Sequence, residues 1–172
     1  MSRQTSVVEE LPSFIADSML GRLARWLRIL GCDTWYFRDI SDADLIDLHR
    51  ASGRLLLTRD TRLIRSPGIG AHLLVQEDHW ENQLKQVLDR LDLPIPEDKI
   101  MTRCLVCNHP LRKRSIEEVR GKVPDYVLST RTEFHGCDRC RKTYWEGTHR
   151  ANILRVIHGL PRRGQGQEAP LP

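Results

Sequence analysis

The chain has 172 residues, of which 40% are apolar and 29% charged, with a net charge of +4. This composition fits a soluble globular protein of one domain, or a domain of about 100 residues carrying a small module. No apolar run approaches the ~20 residues that a membrane span needs, and the opening MSRQTSVVEE lacks the apolar core of an export signal.

Residues 13–17 (SFIAD) read as a short buried strand ending in Asp17. A helix is expected over 18–31, because Leu20, Leu23, Leu27 and Leu30 recur on one face. Arg22, Arg25 and Arg28 then fall on the opposite, solvent side. Asp17 or Ser18 is placed to cap this helix and Gly31 to end it. Cys32, the next residue, reads as a small buried hydrophobe. DTWYF (33–37) is a strand, and SDADLIDLHRASG (41–53) is a helix capped by Ser41 or Asp42 and closed by Gly53. RLLLT (54–58) is an apolar strand that runs straight into Arg59 and Asp60. AHLLV (71–75) is a further strand. DHWENQLKQVLDRLDL (78–93) is an amphipathic helix that buries Trp80, Leu84, Val87, Leu88 and Leu91. Strands alternating with helices in this way imply βαβ units and a mainly parallel sheet.

LPIPED (93–98) interrupts the pattern with Pro94 and Pro96. The expected organisation is an α/β domain over 12–95, a small module over 100–150, and a disordered tail over 161–172 that has no core-forming pattern. Charge divides at the same place. Residues 1–100 hold 13 basic and 16 acidic side chains, whereas residues 101–172 hold 14 and 7. A basic module on a mildly acidic domain suggests a polyanionic partner, with Arg112, Lys113 and Arg114 as phosphate contacts.

Two cysteine pairs, CLVC (104–107) and CDRC (137–140), carry the sharpest chemical signal. Cys104, Cys107, Cys137 and Cys140 offer four soft ligands suited to tetrahedral Zn²⁺. A redox-active C-x-x-C would explain one pair, not two. The 29 residues between the pairs are read as a long β-hairpin within a zinc ribbon. His109, His135 and His149 lie nearby, but four sulfurs already close the site, so they read as surface or flanking histidines. The odd cysteine count argues against a disulfide framework and for a reducing, cytoplasmic setting.

A second set of residues is acidic. Asp17 and Asp60 each follow a predicted strand, Asp42 and Asp44 open the helix between those strands, and Asp78 stands near the last strand. In parallel α/β sheets, ligands bind beyond the carboxyl ends of the strands. Oxygen-only ligands suit Mg²⁺ or Mn²⁺, which can activate water against a phosphodiester. Each acid alone has an ordinary alternative role as a helix cap. Arg22, Arg25 and Arg59 would place guanidinium groups beside such a site. Tyr144 is open to base stacking, whereas Trp145 reads as packing within the module.

Taken in order, FIADSMLGRLARWLRILGCDT, DLIDLHRASGRLLLTRD and the paired cysteines with FHGCDRCRKTYWEGTH resemble the Mut-seven C-terminal RNase domain family over residues 13–150. The resemblance implies a PIN-like three-layer α/β nuclease domain followed by a zinc ribbon. Carried over by position, it implies Asp17, Asp60 and Asp42 as ligands of a catalytic Mg²⁺ or Mn²⁺, with Asp44 in reserve. The expectation is a metal-dependent ribonuclease with RNA as partner and a structural Zn²⁺. The competing reading is a non-catalytic RNA-binding or ribosome-associated zinc-ribbon protein whose acids are only caps.

Overall fold

Four short parallel strands organise the first half of the chain in the computed structural model, which describes residues 11–145 and 148–160. They are β1 (Phe14–Ala16), β2 (Thr34–Tyr36), β3 (Leu55–Thr58) and β4 (His72–Leu74), in the order β2-β1-β3-β4. β1 and β3 are direct neighbours, with Ala16 opposite Leu57. Side chains alternate across the sheet, because successive strand residues point to opposite faces. Phe14, Ala16 and Leu57 enter one apolar core, while Ile15 and Leu56 enter another. The helices α1 (Gly21–Ile29) and α3 (Trp80–Arg90) supply the first core. The second is covered by α2 (Asp42–Ser52) and the turn at Leu63. The domain is therefore three layers, α/β/α.

Local chemistry sets the element ends. The Asp17 carboxylate accepts from the Met19 N–H and caps a 3-10 turn, Ser18–Leu20, that leads into α1. Ser41 caps α2 by accepting from the Asp44 N–H, and Gly53 ends it at φ 64°. Gly31 is required twice over. Its φ is +89°, and a Cβ there would stand 2.5 Å from the Lys99 carbonyl oxygen. Trp80 stacks on Trp26 across the α1–α3 contact, with ring centres 4.7 Å apart.

One sequence expectation fails in α1. Arg28 does not share the solvent face of Arg22 and Arg25 but is 5% exposed. The apolar face is wide enough at the end of the helix to take in position 28, where the second half of the chain supplies acceptors for the guanidinium.

That second half builds an antiparallel sheet of β5 (Leu111–Arg114), β6 (Phe134–Cys137) and β7 (Thr143–Trp145), in that order. The spacer between the cysteine pairs is not one long hairpin. After β5 it folds into two short helices, α4 (Ile116–Val119) and α5 (Asp125–Thr130). Val119, Val123 and Val127 recur every fourth residue and bury against Phe134 in a small separate core, a burial that an exposed hairpin would not provide. The last described element is α6 (Thr148–Gly159). Its Ile153 and Ile157, together with Leu160, return to the core of the first layer. The expected tail, 161–172, lies outside the described residues. Among the described residues, no helix is long and apolar enough to cross a membrane.

Candidate functional site

The carboxyl edge of the parallel sheet links two of the predicted acids, Asp17 and Asp60. Asp17 directly follows β1 and is 6% exposed. One of its oxygens accepts from the Met19 N–H at 3.0 Å and the Ser18 hydroxyl at 3.2 Å. The other accepts from the Thr58 hydroxyl at 2.6 Å. Thr58, fully buried at the end of β3, in turn accepts from the Asp60 N–H at 2.9 Å. One hydroxyl thus links the two strand-end acids. Asp60 accepts from the Arg62 N–H at 2.7 Å, and this bond leads the causes that hold its pKa below the usual carboxylate range. Asp42 and Asp44 stand exposed in the first turn of α2, where Asp44 accepts from the Ser41 hydroxyl at 2.6 Å. Arg59 is ion-paired with Asp78. Thr58 escaped sequence reasoning, although a β-branched hydroxyl at a strand end was the available signal.

The four sulfurs are arranged differently. Cys104, Cys107, Cys137 and Cys140 place every Sγ within 4.8 Å of the others, and among the described residues no other group of three or more His, Cys, Asp or Glu does so. The acids are therefore set more widely than the sulfurs. Facing sulfurs lie 3.4 Å apart for Cys104–Cys140 and 3.3 Å for Cys107–Cys137. Ligands at Zn–S distances of about 2.3 Å stand roughly 3.8 Å apart at the corners of a tetrahedron, so the donor set fits Zn²⁺.

Both knuckles use the same backbone turn. The Cys104 N–H donates to the His109 carbonyl at 2.8 Å and its carbonyl accepts from Asn108 at 2.9 Å. The Cys137 N–H donates to Lys142 at 2.9 Å and its carbonyl accepts from Arg141 at 3.0 Å. Asn108 and Arg141, each the residue after a second cysteine, have left-handed φ values of 65° and 63°. Burial alone would push the Cys104 thiol up, but hydrogen bonds from Tyr144 and from the Cys107 and Val106 N–H groups bring it down to about 6. Burial, followed by the neighbouring sulfurs, pushes Cys140 up to about 12. A thiolate is the form that ligates metal, and the fold favours one at position 104. His109 is exposed, His135 sits half-buried on β6 opposite Tyr144, and the His149 side chain lies outside the described residues.

The cysteine sheet is bolted to the α/β domain through residues that sequence reasoning missed. Arg28 donates to the carbonyls of Thr34 at 2.9 Å, Leu105 at 3.1 Å and Val106 at 3.0 Å, so it grips the first knuckle. Asn108 accepts from the Thr34 N–H at 3.0 Å and donates to Asp33 at 2.7 Å. Asp33 also meets Arg54 at 2.8 Å and Arg103 at 3.5 Å. Burial opposes its ionisation, but these bonds and charges outweigh that and lower its pKa. No sequence periodicity marks such contacts, because those between the two halves join residues 70 or more positions apart. Cys32 is buried, and burial pushes its thiol up to about 12, which suits an inert core residue.

The predicted phosphate-binding residues divide. Arg22 and Arg25 are exposed on α1, and Arg22 lies over the Trp80 ring at 4.7 Å. Arg112 and Lys113 are exposed on β5 but near Asp138 (3.2 Å) and Glu133 (3.8 Å). Arg114 is drawn in between Glu118 and Asp138.

The fold and its cysteine cluster define an α/β protein with a parallel four-stranded sheet and an appended sheet resembling a zinc ribbon. The family match is correspondingly broad: the chain belongs to the Mut7-C RNAse domain family, which matches residues 12–157. That membership implies a ribonuclease with an RNA substrate. No curated protein and no solved structure matches the chain.

Proposed function

We propose that the protein is a divalent-metal-dependent ribonuclease whose catalytic edge is built by Asp17, Asp60 and Asp42, with Asp44 in reserve. The observation that carries this reading is the Thr58 hydroxyl, which ties Asp17 on β1 to the Asp60 turn after β3 at the sheet edge where ligands bind. These acids would hold Mg²⁺ or Mn²⁺, which supplies an activated water and neutralises charge on the phosphodiester. Their wider spacing is compatible with that role, because Mg²⁺ keeps several waters and takes only one or two carboxylates directly. Arg59, oriented by Asp78, and the exposed Arg22 and Arg25 supply phosphate contacts beside the acids. The cysteine sheet, holding Zn²⁺ through Cys104, Cys107, Cys137 and Cys140, orients RNA with Arg112, Lys113 and Arg114. A thiolate zinc site together with the unpaired Cys32 thiol fits a reducing, cytoplasmic setting.

A specific observation also favours the binding-module reading: the Asp17 and Asp60 carboxylates both accept backbone N–H groups of the turns they begin. Asp17→Asn separates the two. Asn caps as well as Asp, so a pure cap leaves the variant like its parent. A metal ligand predicts a folded variant whose Mn²⁺-dependent cleavage of mixed RNA falls about 100-fold or more. Asp60→Asn is expected to match it, with the double variant little worse. Cleavage equal in all variants removes this site, and no cleavage by the parent with any divalent cation leaves the binding module.

A further inference from the structure

A groove of about 830 Å³ runs between α1, the cysteine sheet and α6. Its volume falls in the range of true ligand clefts, roughly 300–1,000 Å³. Arg22, Arg25 and Trp26 line it from α1, and Leu105, Tyr144 and Trp145 from the cysteine sheet. Neither Arg22 nor Arg25 has an ion pair among the described residues, in contrast to the basic residues of β5, which have acids beside them. Arg22 and Arg25 therefore bring positive charge to the groove with no acid paired to it. The aromatic side chains are fixed in place. Trp26 is backed by Trp80 in a stack with an interplanar angle of 11°, and the Tyr144 hydroxyl is tied to Cys104 Sγ at 3.1 Å and the Leu105 N–H at 3.2 Å. Trp145 is anchored opposite Phe134 in the strand register.

Gly21 is part of the lining, and it packs so closely on Tyr36 that a Cβ there would lie 2.7 Å from the Tyr36 hydroxyl. That hydroxyl donates to the Ser18 carbonyl at 3.0 Å, in the turn that Asp17 caps. Leu105, inside the first cysteine knuckle, is also part of the lining. The nine residues of α1 run about 13 Å at 1.5 Å per residue.

We propose that this groove is a track for single-stranded RNA, in which bases stack on Trp26, Tyr144 and Trp145 while Arg22 and Arg25 take the phosphates, and that it leads the strand to the Asp17 edge. The proposal deepens the ribonuclease reading and rests on it for the identity of the strand. Aromatic platforms interleaved with arginines bind unpaired bases with little sequence preference. A duplex keeps its base faces stacked inside and offers them nothing. The groove therefore selects single strands over duplexes, and the cysteine sheet forms one wall of the track.

The test is binding by full-length, zinc-loaded protein in chelator-free buffer without added Mg²⁺ or Mn²⁺, where metal-dependent cleavage is suppressed. A 5-iodouracil-substituted single-stranded oligonucleotide is cross-linked by light, and the attached residues are mapped by mass spectrometry. Cross-links at Trp26, Tyr144 or Trp145 are expected. In parallel, Arg25→Glu is expected to weaken single-strand affinity about 5- to 10-fold and to flatten its salt slope by at least ~0.7, the share of one phosphate contact, with duplex affinity unchanged. Cross-links confined to other surfaces, or equal loss of single-strand and duplex binding, overturn the track. This outcome is separable from the catalytic reading. Mn²⁺-dependent cleavage with cross-links elsewhere defeats the track alone, and groove cross-links without cleavage by any divalent cation defeat the metal-dependent nuclease alone.

Discussion

The two candidate metal sites of this molecule are assembled in opposite ways. Each sulfur pair comes from one turn, with its geometry fixed by hydrogen bonds between residues four and five positions apart. The acid edge draws on the ends of β1 and β3 and the start of α2, so its geometry depends on strand order and on a single hydroxyl between two chain segments. The sulfur site is thus specified locally and needs only two copies of one turn to meet. The proposed acid site would form only once the parallel sheet has formed. The difference predicts that each site responds to a different class of perturbation.

The largest expected effect is on the sulfur side. Zinc content near one per chain is expected, and a strong chelator or Cys107→Ser should unfold the cysteine sheet, since small metal sites of this kind draw folding energy from the ion. Because Arg28 and Asn108 couple that sheet to the α/β domain, the loss should spread. Losing about 4 kcal/mol lowers the melting temperature of a domain this size by roughly 8–16 °C. Calorimetry with and without chelator checks this, and an unchanged transition would separate the two halves that the comparison joins.

Arg28→Met comes next. It strands the Thr34, Leu105 and Val106 carbonyls in a buried place, at a cost of about 3–4 kcal/mol. Denaturant unfolding should show that loss, and limited proteolysis should open residues 93–100, where the domain boundary is expected. Early cutting within 41–60 would contradict this domain division.

On the acid side, Thr58→Val removes one hydroxyl and keeps the shape. It leaves the Asp17 carboxylate and the Asp60 N–H each short of a partner, an expected cost of about 1–3 kcal/mol. If Thr58 positions the acids, cleavage falls while zinc content stays at the parental level. Lost zinc in this variant would show that the two sites are not independent.

The smallest effect concerns pH. Asp33 has a folded pKa below its unfolded value. Its contribution is therefore fully present above the ordinary carboxylate pKa of about 3.9 and is lost as pH falls through the lower folded value. Asp33→Asn should reduce stability at neutral pH, and the gap from the parent should close in strong acid. A gap that persists at the lowest pH would mean that shape, rather than charge, holds this junction.

Most of the fold could be read in the sequence because its elements are short and strongly periodic. The leucines of α1, and Ser41 and Gly53 around α2, act through neighbours within one or two turns, and Gly31 marks the end of α1 by its left-handed φ. The cysteine knuckles were legible for the same reason. What was not legible is what depends on distant partners. Arg28 looked like a solvent residue because its acceptors lie more than 70 residues away. Asn108 gave no sign that it would bridge to Thr34 and Asp33. In the acid set, the sequence could place Asp17 and Asp60 at strand ends, but only the topology made those strands adjacent and put Thr58 between them. Val119 in α4, Val123 between the helices and Val127 in α5 recur every fourth residue, but Pro124 breaks the run and hides the signal.

The return of α6 has a consequence for biosynthesis. Ile153, Ile157 and Leu160 complete a core begun by Phe14 and Leu23, yet they leave the ribosome only after residues 101–147 have been made. At about 5–20 residues per second, that delay lasts roughly 2–10 s. During that interval the earliest-made domain has all its strands but an uncovered apolar flank. The nascent chain is therefore exposed to chaperones or aggregation at a predictable moment, and a stop codon placed just before α6 would make that vulnerability permanent.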